Sequence, residues 1–67
     1  MLDQSYYEKA DEIIDYYGRK ASSLIPIMQD IQGEYRYLPG ELLTYVAKEI
    51  GVTEAKAYSV ATFYENF

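Results

Sequence analysis

Pro39-Gly40-Glu41-Leu42-Leu43-Thr44-Tyr45-Val46-Ala47-Lys48-Glu49-Ile50-Gly51 is the stretch that decides the fold class. At about 100° per residue, Leu42, Leu43, Val46, Ala47 and Ile50 share one face, which predicts an amphipathic helix with one side buried. Pro39 fits its first turn, where a missing N–H is no loss, and Gly51 supplies the left-handed stop. Beyond Gly51, Thr53 is expected to cap a further helix. Its wide apolar arc takes in Ala57, Val60, Ala61, Phe63, Tyr64 and Phe67, with Ser59, Thr62, Glu65 and Asn66 opposite. Before Pro39, Ser22 or Ser23 can cap a helix that holds Pro26 in its first turn and carries the stripe Leu24, Ile27, Met28, Ile31, Tyr35; it should end between Gly33 and Arg36. At the start of the chain, Ser5 and Glu8 fit a capping box. Residues 6–17 then form a helix with Tyr6, Tyr7, Ala10, Ile13, Ile14 and Tyr17 inward and Gly18 as its stop. Sustained period-two alternation and hairpin turns are both missing. The prediction is therefore all-α: a small four-helix bundle, with residues 1–67 as a single helical domain.

Composition narrows the chemistry. Sixty-seven residues without Cys or His offer no thiolate or imidazole, so the usual zinc and iron-sulfur ligands, the thiol nucleophile and the imidazole base are all absent. A chain of this size has too small a core to support an enzyme cleft as well. We therefore expect no catalytic residues, no cofactor-binding residues and no metal site within it. Eleven acidic against six basic residues, a net charge of −5, repel both a phosphate backbone and an anionic membrane, so nucleic acid is not an expected partner. No apolar run approaches the ~18 residues of a membrane span, and Met1-Leu2-Asp3-Gln4 does not open a signal peptide. The expected location is cytoplasmic, without membrane insertion.

Function must then come from contact. Nine residues are Tyr, and Tyr16, Tyr45 and Tyr58 project toward the polar side of their helices. Tyr brings a large apolar body and a hydroxyl that stays hydrated, a combination enriched at interfaces. These three, with Phe63, Tyr64 and Phe67 on the broad arc of the last helix, are the candidate partner-binding residues. The acidic face Glu8, Asp11, Glu12, Asp15 reads as a solvated helix face.

Two stretches then become informative together. Leu24-Ile25-Pro26-Ile27-Met28-Gln29-Asp30-Ile31-Gln32, followed by Tyr35 and Tyr37-Leu38-Pro39, is the first. Tyr58-Ser59-Val60-Ala61-Thr62-Phe63-Tyr64, preceded by the helix start Gly51-Val52-Thr53, is the second. Together they resemble the N-terminal helical region of the thioredoxin-like [2Fe-2S] subunit, the E-type component, of NADH-quinone oxidoreductases and of NAD(P)-linked hydrogenases and formate dehydrogenases. The likeness runs from about Ile13 to Phe67. It implies the leading helical domain of a longer subunit, whose thioredoxin-like domain would hold a [2Fe-2S] cluster on four cysteines. It also implies two protein partners, that cluster domain and a flavin-containing dehydrogenase subunit. No cluster is expected on these 67 residues. Arg36 stands where the family commonly has Gly before Tyr-Leu-Pro, and Gly40 is unexpected in a first helical turn.

The alternative is a free-standing acidic helical interaction module without a redox role. A helix-turn-helix reader opening at Gly51 is disfavoured by charge, and a phosphopantetheine carrier lacks the Asp before its Ser.

Overall fold

A computed structural model describes the backbone of residues 2–65 and the side chains of residues 2–62. Four helices follow one another, α1 (Gln4–Tyr17), α2 (Leu24–Tyr35), α3 (Gly40–Ile50) and α4 (Glu54–Glu65), with a short 3-10 turn at Ala21–Ser23 before α2. Among the described residues there is no strand, and the architecture is the expected small all-α bundle.

Local chemistry sets each boundary, in several places differently from the sequence expectation. α1 starts earlier than residue 6 because Asp3, not Ser5, is its cap: the Asp3 carboxylate accepts from the Ser5 backbone N–H at 3.2 Å and from the Ser5 hydroxyl at 2.7 Å. These bonds hold the Asp3 carboxyl below its ordinary pKa. At the other end Gly18 has φ 101 and ψ 149, an essentially glycine-only conformation, and its N–H reaches the Ile14 carbonyl at 2.7 Å. Ser23 occupies the cap position of α2 but already has near-helical backbone angles, because the 3-10 turn precedes it. Its hydroxyl turns back and donates to the Tyr17 carbonyl at 3.1 Å, which satisfies the frayed end of α1 and explains why a serine is buried there.

α2 stops at Tyr35 because Arg36 itself adopts the left-handed conformation, φ 67 and ψ 6, with its N–H on the Gln32 carbonyl at 2.7 Å. Gly33 does not replace it and stays inside the helix. Pro39 lies just outside α3 as its cap residue, its carbonyl accepting from Leu43 N–H at 3.0 Å. Gly51, φ 78, closes α3, and the Val52 N–H returns to the Ala47 carbonyl at 2.9 Å in a Schellman arrangement with Val52 packed on the core. Thr53 caps α4 as expected, its hydroxyl accepting from Lys56 N–H at 3.1 Å.

The core is dry. α1 gives Ala10, Ile13 and Ile14; α2 gives Leu24, Ile27, Met28 and Ile31; α3 gives all five residues of its predicted stripe. α4 contributes only Ala57 and Ala61 among its described side chains, with Val60 half-buried. Two alanines four residues apart make a flat strip, so α4 can lie close against its neighbours without filling the centre.

Arg36 gives a direct test of this accounting. A left-handed non-glycine residue costs about 1–2 kcal/mol, and glycine would lose about 0.4–1 kcal/mol through unfolded-chain entropy. Arg36→Gly should therefore stabilise the chain by roughly 0.5–1 kcal/mol and raise Tm by a few degrees. Thermal unfolding followed by circular dichroism checks it; a lowered Tm would mean that the Arg36 side chain is itself stabilising.

Candidate functional site

Among the described residues, four large apolar side chains stand out in solvent: Tyr16 is 81% exposed, Tyr37 53%, Ile25 42% and Tyr58 42%. Two of them wall a single groove of about 530 Å³ at the start of α3, lined by Leu2, Tyr37, Pro39, Gly40, Thr44 and Tyr58 together with Glu41. The Tyr58 hydroxyl donates to the Gly40 carbonyl at 3.3 Å, and a Cβ on residue 40 would stand 3.1 Å from that hydroxyl oxygen. Gly40 is thus the residue that lets the Tyr58 hydroxyl settle onto the first turn of α3, which accounts for a glycine that helix propensity disfavours. The neighbouring Tyr6 hydroxyl raises the Tyr37 pKa, and the Tyr6 ring stacks on Tyr35 with ring centroids 4.5 Å apart.

A second groove, about 410 Å³, runs between α1 and α2 and is lined by Lys9, Glu12, Ile13, Tyr16, Tyr17 and Asp30. The Tyr16 and Tyr17 rings meet edge to face, centroids 4.9 Å apart at 90°. The Tyr17 hydroxyl donates to Asp30 at 3.0 Å, and that bond raises its pKa.

Tyr45 is placed differently from the other two singled-out tyrosines. Its ring is half-buried against Tyr7, centroids 5.1 Å apart, and its hydroxyl donates to Asp11 Oδ1 at 2.7 Å across the α1–α3 seam. The Asp11 bond is the main cause, burial the next, of a Tyr45 pKa pushed up to about 12. Arg19 extends this seam: it bonds Asp15 at 3.1 Å and Glu49, and lies 3.9 Å from Asp11. Part of the acidic face of α1 is therefore engaged inside the molecule, a point that helix periodicity alone does not reveal.

Tyr16, Tyr45 and Tyr58 are not gathered into one site. Tyr16 and Tyr58 line grooves that share no residue, and Tyr45 lines neither. Of Phe63 and Tyr64 only the backbone, within α4, is described, and Phe67 lies outside the described residues. The sequence reading missed Leu2, Tyr37 and Ile25. Leu2 and Tyr37 sit outside helices, where periodicity is silent, and Ile25 lies off the stripe of α2.

No residues here suit an iron-sulfur cluster. The chain has no thiolate or imidazole, and the described residues include no group of three side chains able to hold a metal ion. Nor is any helix among the described residues long and apolar enough to cross a membrane.

A family model described as thioredoxin-like [2Fe-2S] ferredoxin matches residues 10–67. Among curated proteins, the E-type subunit of NADH-quinone oxidoreductase from Mycobacterium tuberculosis is 40% identical over 55 residues, covering 82% of this chain and 22% of that protein. The HndA subunit of the NADP-reducing hydrogenase from Solidesulfovibrio fructosivorans is 30% identical over 67 residues, covering 100% of this chain and 39% of that protein. An E-type NADH-quinone oxidoreductase subunit from Rhizobium meliloti is 37% identical over 51 residues, covering 76% and 30%. The chain thus spans between 22% and 39% of the length of these relatives.

The Tyr45–Asp11 bond predicts an alkaline signature. A phenol near 10 when unfolded and about 12 when folded holds its proton more tightly in the native state. Its stabilisation is complete below pH ~10 and is lost as pH rises toward 12. Tyr17, Tyr35 and Tyr37 shift in the same direction. Ultraviolet titration of phenolate should show a late-ionising class from which Tyr45→Phe removes one phenol. The same variant should cost about 1 kcal/mol at neutral pH. An unchanged late class would show that Asp11 does not hold that hydroxyl.

Proposed function

The chain belongs to the thioredoxin-like [2Fe-2S] ferredoxin family, and on that premise we propose that it is the helical docking domain of an electron-transfer subunit. In this reading it carries no chemistry of its own and forms the leading part of a longer cytoplasmic subunit. It packs on a thioredoxin-like [2Fe-2S] domain and on the flavin-containing subunit of an NADH dehydrogenase or NAD(P)-reducing hydrogenase. The parent cofactor would be held entirely by the cluster domain, since thiolate ligation is impossible here.

The observation that carries the proposal is the groove at the start of α3, where Tyr37 and Tyr58 are about half exposed on a bundle that buries the apolar stripes of its helices. Rigid aromatic rings beside a small apolar floor are what an interface anchor requires: much surface to bury and little rotamer freedom to lose. Tyr58 is further pre-set by its hydroxyl bond to Gly40, so docking need not order it. Tyr16 offers an open ring elsewhere. Tyr45 can offer only the part of its ring that the seam with α1 leaves uncovered. Phe63, Tyr64 and Phe67 enter the proposal from the sequence pattern alone.

The test is a binding measurement by calorimetry. The 67-residue chain is titrated with the cluster domain of a family member lacking its own helical region, and separately with the flavin-containing subunit. Binding to at least one is expected, with Tyr58→Ala or Tyr37→Ala weakening it about tenfold or more. Both positions are exposed, so circular dichroism should show the variants folded. No binding to either component, with the wild-type chain folded, would refute the redox docking role and leave the free-standing module.

A further inference from the structure

We propose that the α1–α2 groove is a binding site for an arginine side chain of a partner protein, stacked on Tyr16 and paired with the carboxylates of Asp30 and Glu12. The site shares no residue with the groove at the start of α3, and the inference does not depend on what kind of partner docks there.

The first support is the aromatic wall. Tyr16 is the most exposed large apolar side chain among the described residues, 81% open, and it is not loose: its ring sits edge to face with Tyr17. A tyrosine ring held in place and this open to solvent is a surface on which a planar cation gains electrostatic and dispersion energy together. The second support is charge. Asp30 is oriented by the Tyr17 hydroxyl on Oδ2, and among the described residues no side chain forms an ion pair with it. Glu12 adds a second carboxylate, lying one turn before Tyr16 on α1. The groove's positive residue, Lys9, is seven residues before Tyr16, about 10 Å along the helix axis, and stands 4.0 Å from Glu12 and 3.9 Å from Glu34. Its ammonium is shared between Glu12 and Glu34, so with Asp30 also in the lining the groove keeps a net negative charge.

Geometry favours guanidinium over ammonium. A flat cation can lie on the Tyr16 ring while its edge N–H groups address Asp30, whereas a compact, strongly hydrated ammonium meets one requirement at a time. The ~410 Å³ of the groove, floored by Ile13, also accommodates the methylene stem of such a side chain. The chain's net charge of −5 would draw a basic surface toward this face.

The experiment uses the intact 67-residue chain and two blocked tripeptides, Gly-Arg-Gly and Gly-Lys-Gly, in a low-salt NMR titration. The arginine peptide should give saturable shifts centred on Ile13, Tyr16, Tyr17 and Asp30, with half-saturation on the order of tens of millimolar. The lysine peptide should bind roughly two- to fivefold more weakly, and Tyr16→Ala or Asp30→Asn should weaken the arginine peptide by a similar factor. Both substituted positions are exposed, so a matching circular dichroism spectrum verifies the fold. Shifts spread evenly over all acidic side chains, equal binding of the two peptides, or an unaffected Tyr16→Ala variant would each overturn the site. Because neither peptide carries a redox group, failure here leaves the docking proposal standing, and failure of that proposal leaves this site standing.

Discussion

Every other helix leans on the apolar face of α3, with no disulfide to assist it. Leu42, Leu43, Val46, Ala47 and Ile50 are all buried, and packing against them fixes where α1, α2 and α4 can lie. For a chain this short the total stability is of the order of 3–10 kcal/mol, while truncating one buried leucine costs about 2–5 kcal/mol. The interior therefore has no room for polar or reactive groups that do not pack. Whatever this molecule recognises must be recognised with residues outside that interior, and the two most exposed large apolar side chains among the described residues, Tyr16 and Tyr37, are aromatic.

Tyrosine serves the periphery in two ways. Among the described residues, three tyrosine hydroxyls tie helix to helix around the apolar centre: Tyr17 of α1 to Asp30 of α2, Tyr45 of α3 to Asp11 of α1, and Tyr58 of α4 to Gly40 of α3. The Tyr17 and Tyr45 rings pack on the edge of the core while their hydroxyls reach an acceptor on another helix, so one residue seals and aligns a seam at once. The rings differ in what remains open. Tyr45 is half-covered by its seam, Tyr58 keeps part of its ring in solvent, and Tyr16, which makes no such tether, is almost fully presented. Exposure thus falls where hydroxyl and ring are engaged inside the molecule and rises where they are not.

Much of this was legible in the sequence because helix periodicity and stop residues report directly on burial. The α3 stripe, the α2 stripe through Ile31, the Thr53 cap and the Gly51 stop all follow from local chemistry. What was hidden depends on partners distant in the chain. Asp3 displaced Ser5 as the α1 cap because either side chain could do the work, and only the built turn decides between them. Tyr45 looked like a polar-face residue until Asp11, 34 positions away, accepted its hydroxyl. Gly40 looked like a weak helix start until Tyr58 was found against it. Tyr37 and Leu2 lie outside helices, where no period marks them as the walls of a groove. Arg36 is the opposite case. The motif around it asks for a left-handed stop, the structure keeps that stop, and the wrong residue type simply bears the strain.

Cluster ligation demands thiolates, and a helical unit without them can influence electron transfer only through geometry: how a cluster-bearing domain is held and how it is turned toward its electron donor. Holding needs one contact; turning needs two. A single patch, however apolar, leaves a partner free to pivot about it. Two grooves with no residue in common, one walled by Tyr37 and Tyr58 and one by Tyr16 beside Asp30, define an axis rather than a point. They also differ in chemistry, the first holding two tyrosines with Leu2, Pro39 and a single carboxylate, Glu41, the second pairing its tyrosines with the carboxylates of Glu12 and Asp30. In the proposed docking, a partner placed with the two contacts exchanged would bring its apolar anchor against Asp30 and Glu12 and strip those carboxylates of water. In that docking, orientation is specified by mismatch as much as by fit.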